Sequence, residues 1–202
     1  MLIEHDGEQP TVADSAYVAP TAVIAGNVTI GEDVRVLFGA VITADGGPVN
    51  IGRQSIIMEQ ALVRGRKRHP AVVGDYVLVG PHAHVNGAVI EDYAFIATGA
   101  SVFPGARIGT RAEVRINGVV HVNSRLPAEA TVPIGWVAVG DPARLFAPDR
   151  HDEIAAIQHE LGFVRTTFGI EPSDDLAAEM SEITRVYAEL FGRHMRDTSV
   201  SE

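Results

Sequence analysis

The segment AVIEDYAFIATGASVFPGARIGTRAEV, residues 88–114, carries Val or Ile at every sixth position. These residues are Ile90, Ile96, Val102, Ile108 and Val114. A hydrophobic period of six is typical of hexapeptide-repeat parallel β-helices. One flat side of a triangular coil takes one hexapeptide, so three hexapeptides form a coil of about 18 residues. The segment therefore predicts an all-β solenoid.

The same column of Val and Ile runs through most of the chain, with interruptions after Ile42, Val63 and Val85. Its members are Val12, Val18, Ile24, Ile30, Val36 and Ile42, then Ile51, Ile57 and Val63, then Val73, Val79 and Val85, then Ile90 through Val120, extended by Leu126 and Val132. Four residues after most of them comes a small or aliphatic residue, as a narrow corner requires. We expect six or seven coils, with functional residues at the interruptions.

The composition agrees with a thin aliphatic core and restricts the function. Hydrophobic residues make up 46% of the 202-residue chain and aromatic residues only 6%, and there is no cysteine. The net charge of −10 argues against nucleic-acid binding. We find no signal peptide in residues 1–10 and no apolar stretch that could span a membrane. We therefore expect a cytoplasmic protein with no membrane or nucleic-acid partner.

After residue 145 the hydrophobic spacing changes from six to the three and four of amphipathic helices. We divide the chain into a β-helix domain, 1–145, and a helical extension, 146–202. Asp149 is a candidate cap for a helix that ends at Gly162, and Ser173 for a second helix that carries Ile183 and Tyr187. We expect these helices to pack on the coil or on a neighbouring subunit.

Five segments of the first domain resemble the γ-class carbonic anhydrases. They are VITAD (41–45), VNIG (49–52), IMEQALVR (57–64), VGP (79–81) and VNG (85–87). The resemblance covers roughly residues 10–145 and implies a left-handed parallel β-helix and a homotrimer with sites in the clefts between subunits. The later run Gly-Asp-Pro-Ala-Arg, 140–144, is shared with hexapeptide acyltransferases and does not indicate the reaction.

The resemblance also implies that the metal-binding histidines are replaced. The three positions that match the family's ligands hold Arg64, Pro81 and Asn86. Zinc binds imidazole, thiolate or carboxylate, and Arg64 adds a permanent positive charge. Without the metal there is no low-pKa water for CO2 hydration. We therefore predict a protein that binds no metal and no other cofactor.

The basic run Arg64-Gly65-Arg66-Lys67-Arg68-His69 stands out in an acidic chain. It is either a solvated loop that pairs with acidic groups, or an anion-binding edge of the cleft. On the second interpretation Arg64, Arg66 and His69 bind the substrate. Asn86 is expected to help, by hydrogen bonding a carbonyl group.

Four further residues complete the predicted site. Because Ala83 falls in the inward column, His82 and His84 are expected to point outward on the same side, as general base, ligand contact or two ligands of a displaced metal site. They are equally compatible with ordinary interface histidines. Asp45 and Glu59 stand where the family carries acids; Asp45 is expected to contact substrate or Arg64, and Glu59 to transfer protons or join an ion pair.

Three classes of function fit this sequence. The first is a repurposed, metal-independent enzyme that acts on a small anionic or carbonyl compound at the cleft between subunits, with His82, His84 and Glu59 as catalytic residues. The second is a hexapeptide acyltransferase whose basic run holds coenzyme A. The third is a non-catalytic trimer that binds a ligand or serves in assembly. A zinc carbonic anhydrase with a relocated metal site is a further alternative.

Overall fold

Val and Ile of the six-residue column form the core of the molecule. The computed structural model describes residues 1–200, a parallel β-helix of about eight turns followed by helices. From Ile24 to Val132 the residues of the column are at most 2% exposed, while Val12 and Val18, near one end, are partly buried. β-Branched side chains suit the extended backbone and fill a narrow interior. The prediction of the core is therefore confirmed.

The coil has three flat sides, and each side is a sheet of parallel strands stacked along the axis. The second sheet contains Thr11–Val12, Val28–Ile30, Val49–Ile51, Ala71–Val73, Val89–Ile90, Arg107–Ile108 and Arg125–Leu126. The third contains Tyr17–Val18, Arg35–Val36, Ile56–Ile57, Leu78–Val79, Phe95–Ile96, Glu113–Val114 and Thr131–Val132.

The first side is a ten-stranded sheet that joins both ends of the chain. Its parallel strands are Leu2–Glu4, Val23–Ala25, Val41–Asp45, Leu62–Arg66, His84–Asn86, Ser101–Val102, Val119–Val120 and Val137–Val139. Two antiparallel strands close it: Arg144–Phe146 beside Val137–Val139, and Thr198–Ser199 beside Leu2–Glu4. The expected six or seven coils are fewer than the eight or so turns of the structure. The strand Leu2–Glu4 begins a turn before Val12, the first residue of the column.

The interruptions lengthen two neighbouring strands of the ten-stranded sheet. Val41–Asp45 and Leu62–Arg66 have five residues each and stay paired along their length. A Cβ on Gly65 would collide with the carbonyl oxygens of Gly47 and Pro48, so only glycine allows the two interruptions to lie together. We call this projecting part of the sheet, residues 43–47 and 64–69, the ledge.

Three helices follow the coil: α1 (His151–Glu160), α2 (Phe163–Phe168) and α3 (Leu176–Gly192), with a 3₁₀ turn at Arg193–Arg196. The predicted caps are wrong. Asp175, rather than Ser173, accepts from the N–H groups of Ala177 and Ala178, and α1 has no side-chain cap. Asp149, Ser173 and Asp175 are all of residue types that favour the cap position, so residue type alone does not identify the cap.

The extension packs on the chain's own coil. In α3 the buried residue is Ile183, whereas Leu176 and Met180 in its first half are exposed.

Within residues 1–200, none of the helices combines the length and apolar character that crossing a membrane requires.

Truncating the core should destabilise the coil far more than truncating the adjacent outward residue. Ile57 is fully buried, and its neighbour Ile56 on the same strand is half-buried and faces outward. We expect Ile57→Ala to lower the free energy of unfolding by about 2–5 kcal/mol because it leaves a cavity. Ile56→Ala should cost less than about half of that. Urea unfolding measures both, and equal losses would contradict the inward assignment of the column.

Candidate functional site

Asp45 and Arg64 meet on the ledge. Asp45, which is 3% exposed, accepts a hydrogen bond from the Thr43 hydroxyl at 2.8 Å. Its other oxygen, Oδ2, lies 2.7 Å from Arg64 Nε in a charge contact without an aligned hydrogen bond. The predicted contact between Asp45 and Arg64 is present.

Arg64 is followed on the sheet by two polar residues with unpartnered atoms. Arg64 and Asn86 are register partners on adjacent strands, and His84 is the register partner of Leu62. Among the described residues, Asn86 Oδ1 and His84 Nε2 are buried and have no hydrogen-bond partner. Leaving such groups unpaired costs about 1–3 kcal/mol each. We call Arg64, His84 and Asn86 the Arg64 patch.

The protein environment keeps His84 neutral. Burial lowers the pKa of His84 below its usual 6.5, and the nearby positive charges of Arg64 and Arg66 lower it further. A neutral imidazole near pH 7 can accept a proton or donate one hydrogen bond. His84 therefore has the protonation state that a general base requires.

The rest of the basic run divides into bound and solvated residues. Arg66 Nη2 donates to the Thr167 carbonyl oxygen at 2.6 Å and to the Tyr187 hydroxyl at 3.2 Å. Lys67 and Arg68 are exposed. His69 forms a tight backbone turn with Arg66, and its pKa is lowered by burial and by Arg66 and Arg68. Arg66 thus anchors the C-terminal helices.

His82 and Glu59 lie apart from this face. His82 is in the turn before the strand, exposed and with a φ of 56°, and its N–H donates to the Glu59 carbonyl at 3.0 Å. The side chain of Glu59 has no hydrogen bond or ion pair within residues 1–200. Side chains alternate between the two faces only along an extended strand, so the prediction that His82 and His84 point to the same side does not hold through this left-handed turn. His82 and Glu59 each lie at a corner of the coil.

A row of aromatic rings connects the coil with the helices. Neighbouring ring centroids are 4.1–6.3 Å apart in the order Phe103, His121, Phe163, Phe168, Tyr187, Phe191, His194 and His5. Arg64 and Arg66 lie over the rings of Phe191 and Tyr187, each at 5.4 Å from the centroid. The row and these cation–π contacts hold the helices against the coil beside Arg64.

A second polar cluster, which no sequence pattern indicated, lies beside Asp45. It contains His5, directly after the first strand, and His194 and Asp197 from the C-terminal segment. His194 Nε2 lies 3.1 Å from Asp45 Oδ1. These residues are separated by almost the whole chain, so no spacing in the sequence could indicate that they meet.

The positions where the resemblance expects metal ligands do not fit zinc. Arg64 brings a guanidinium held by Asp45, Pro81 has no donor atom, and Asn86 offers a neutral amide. Zinc prefers imidazole, thiolate or carboxylate. Within residues 1–200, the converging group of potential ligands is His5, Asp45 and His194, and it contains neither His82 nor His84.

The comparisons with known proteins agree with the fold. The chain is 32% identical over 154 residues to γ carbonic anhydrase 1, mitochondrial, of Arabidopsis thaliana, covering 73% of this chain and 54% of that protein. It is 27% identical over 197 residues to γ carbonic anhydrase 2, mitochondrial, of the same plant, covering 94% and 69%. The chain is a γ-carbonic-anhydrase-like protein of the hexapeptide-repeat superfamily. No family model matches it.

Solved structures support the left-handed β-helix of this γ-carbonic-anhydrase-like protein. The UDP-N-acetylglucosamine O-acyltransferase of Moraxella catarrhalis has a TM-score of 0.55 and 17% identity, with 92% of this chain and 90% of that chain covered. At this identity the similarity shows the fold alone. The chain spans about half the length of the first of these relatives.

Removing the Arg66 anchor should loosen the C-terminal helices. We expect Arg66→Ala to speed amide hydrogen exchange in α2 and α3 by roughly tenfold or more, because a hydrogen bond to a charged group contributes about 1.5–3 kcal/mol. Arg68→Ala is the matched control, since Arg68 belongs to the same run and is exposed. Equal exchange in the two variants would contradict the anchoring role.

His121 should make the protein sensitive to acid. Burial lowers its pKa to about 4, so between pH 6.5 and about 4 the unfolded chain binds a proton that the folded chain does not. Stability is therefore lost as the pH falls through this range. We expect His121→Phe, placed between Phe103 and Phe163, to reduce the loss of melting temperature from pH 7 to 4. His159→Phe, on exposed α1, should leave this loss of melting temperature unchanged. If His159→Phe reduced the loss and His121→Phe did not, His121 would not be the source of the acid sensitivity.

Proposed function

We propose that this γ-carbonic-anhydrase-like protein is a metal-independent enzyme that binds a small anionic or carbonyl compound at the Arg64 patch. The observation that carries the proposal is the pair of buried, unpartnered atoms, His84 Nε2 and Asn86 Oδ1, on the strand next to Arg64. Buried polar groups are normally satisfied, so a ligand that supplies their missing hydrogen bonds would remove a cost to the folded state.

The three side chains complement one class of ligand. The Arg64 guanidinium suits a carboxylate or a polarised carbonyl oxygen, and its Nε side is already held by Asp45. Asn86 Oδ1 accepts a hydrogen bond, which favours a ligand that also carries a hydroxyl or N–H group. Neutral His84 would take a proton from such a group while Arg64 stabilises the negative charge that develops.

A complete site would need a second copy of the chain. His82 and Glu59 lie at a corner, so they would reach the Arg64 patch of a neighbouring subunit rather than their own. Half-buried apolar residues on the outer face of the ten-stranded sheet support self-association, and they include Val23, Val41, Leu62, Val119 and Val137. We propose the homotrimer on this basis. Asp45, Arg66 and His69 would then shape the edge of the cleft.

A non-catalytic trimer is the second candidate. The observation that favours it is that Arg66 is already bound to Thr167 and Tyr187 and that Arg64 lies against Asp45 and Phe191. Both arginines then serve to hold the helices in place.

The cytoplasmic location stays a prediction, and the two plant relatives carry the word mitochondrial in their names.

The direct test is binding of small carboxylates to metal-free protein. We expect bicarbonate, acetate or lactate to shift the NMR signals of the His84 ring in protein treated with EDTA. Arg64→Ala should weaken binding by roughly 10–100-fold, because a charge-assisted hydrogen bond contributes about 1.5–3 kcal/mol. His84→Gln should spare binding more than Arg64→Ala does and abolish turnover of any ligand that proves to be a substrate.

Arg107→Ala is the matched control, since Arg107 is exposed on the second sheet. Binding that this variant weakens as much as Arg64→Ala would indicate a general charge effect. Saturable binding of coenzyme A that depends on Arg66 and Lys67 would favour the acyltransferase instead. If no carboxylate or carbonyl compound binds while Arg64→Ala loosens the helices, the non-catalytic candidate is supported.

A further inference from the structure

Two histidines from opposite ends of the chain share one carboxylate on the ledge. His5 Nδ1 lies 2.6 Å from Asp197 Oδ1, and His194 Nδ1 lies 2.8 Å from Asp197 Oδ2. The two rings are stacked with their centroids 4.1 Å apart. Carboxylate oxygens accept hydrogen bonds, so Asp197 holds the N–H of each ring at Nδ1.

This arrangement turns Nε2 of each ring away from Asp197. His194 Nε2 is 3.1 Å from Asp45 Oδ1. The side chain of His5 is 1% exposed, and its Nε2 has no hydrogen-bond partner among the described residues. A merely structural role explains the two Nδ1 contacts with Asp197, but it does not explain a buried imidazole nitrogen that lacks a hydrogen bond.

We infer that His5, His194 and Asp45 form a binding site for a divalent transition-metal ion of the zinc class. One ligand atom from each residue lies within 4.8 Å of the other two. Two imidazoles and a carboxylate are a common ligand set for zinc. Asp197 takes the place of the outer carboxylate that fixes the tautomer of metal-binding histidines and makes them better ligands.

The geometry needs one adjustment to accept the ion. Zinc bonds of about 2.0–2.2 Å set tetrahedral ligand atoms about 3.3 Å apart, close to the present distance between His194 Nε2 and Asp45 Oδ1. Two rings that are 22° from parallel do not point their lone pairs at one ion, so one ring must turn. His194 is the ring that can turn, because its side chain is 35% exposed and lies in the 3₁₀ turn after α3.

Charge and access favour the ion. Asp6 Oδ2 lies 3.6 Å from His5 Nε2, which places a carboxylate beside the site, and the same oxygen also pairs with Arg193. His5, Asp6 and Arg193 line a cavity of about 250 Å³ that extends to Asn27 and Pro48. The cavity gives a path of entry and room for a water as fourth ligand.

The ion would join three distant parts of the chain: the first strand, the ledge and the C-terminal segment. The inference is independent of the proposed function, since the Arg64 patch contributes no ligand to it. Asp45 would bind the ion through Oδ1 and keep Arg64 at Oδ2. The ion departs from the prediction of a metal-free protein, which was drawn from the family's ligand positions and did not consider His5 with His194.

The test uses zinc and cobalt alone, with full-length protein that carries no metal-binding tag and has been stripped with EDTA. We expect calorimetry to show about one Zn²⁺ per chain, and Co²⁺ to give the visible spectrum of a three-ligand tetrahedral site. Zinc should also raise the melting temperature, because it binds the folded state only.

Two variants delete Nε2 while keeping a polar group beside Asp197: His5→Asn and His194→Asn. Loss of an outer partner such as Asp197 typically lowers metal affinity by roughly 10–100-fold, so we expect a loss of this size for Asp197→Asn. The two histidine variants remove a ligand itself and should lower the affinity for zinc by more than that. His159→Asn, on exposed α1, is the control and should bind as the unaltered chain does. All four are compared with the unaltered chain by circular dichroism in EDTA.

Absence of stoichiometric zinc and cobalt binding by the unaltered chain would overturn the inference. So would zinc binding that His194→Asn leaves unchanged. The carboxylate titration is done on metal-free protein, so failure of one proposal does not imply failure of the other.

Discussion

The narrow interior of the coil is the constraint on which the structure depends. Each flat side has room for one branched aliphatic side chain per turn, and each corner for a small one, so the six-residue spacing cannot drift. Extra residues cannot enter this core, and the insertions after Ile42 and Val63 are pushed outward. They emerge on neighbouring turns of one sheet, where parallel pairing continues, and thereby form the ledge.

Asp45 is the point at which the polar groups of the ledge meet. One of its oxygens contacts Arg64, and the other accepts from Thr43 and lies beside His194. A buried carboxylate is tolerated only when such partners surround it. The same residue therefore separates two environments: the Arg64 patch, rich in positive charge, and the histidine cluster, where Asp197 adds negative charge. An anion suits the first, and a cation suits the second.

Much of the fold and part of the candidate site could be predicted from local sequence patterns. The inward columns, the polar contact of Asp45 with Arg64 and the existence of C-terminal helices all follow from spacing or from the resemblance to the γ-carbonic anhydrases. The errors have physical causes. Asp175 replaces Ser173 as the cap of α3, because adjacent acceptors compete on geometry that composition does not reveal. His82 leaves the face of His84 because the backbone at His82 turns into the left-handed region.

The sequence by itself determined the repeat, the three-sided coil and the places where the coil is interrupted. These are properties of residues a few positions apart, which hydrophobic periodicity makes visible. Only the tertiary structure decided that the C-terminal segment returns across the ledge and brings His194 and Asp197 to His5. That return depends on the packing of Phe163, Tyr187 and Phe191 against the coil, and no local rule relates residues at the two ends of a chain.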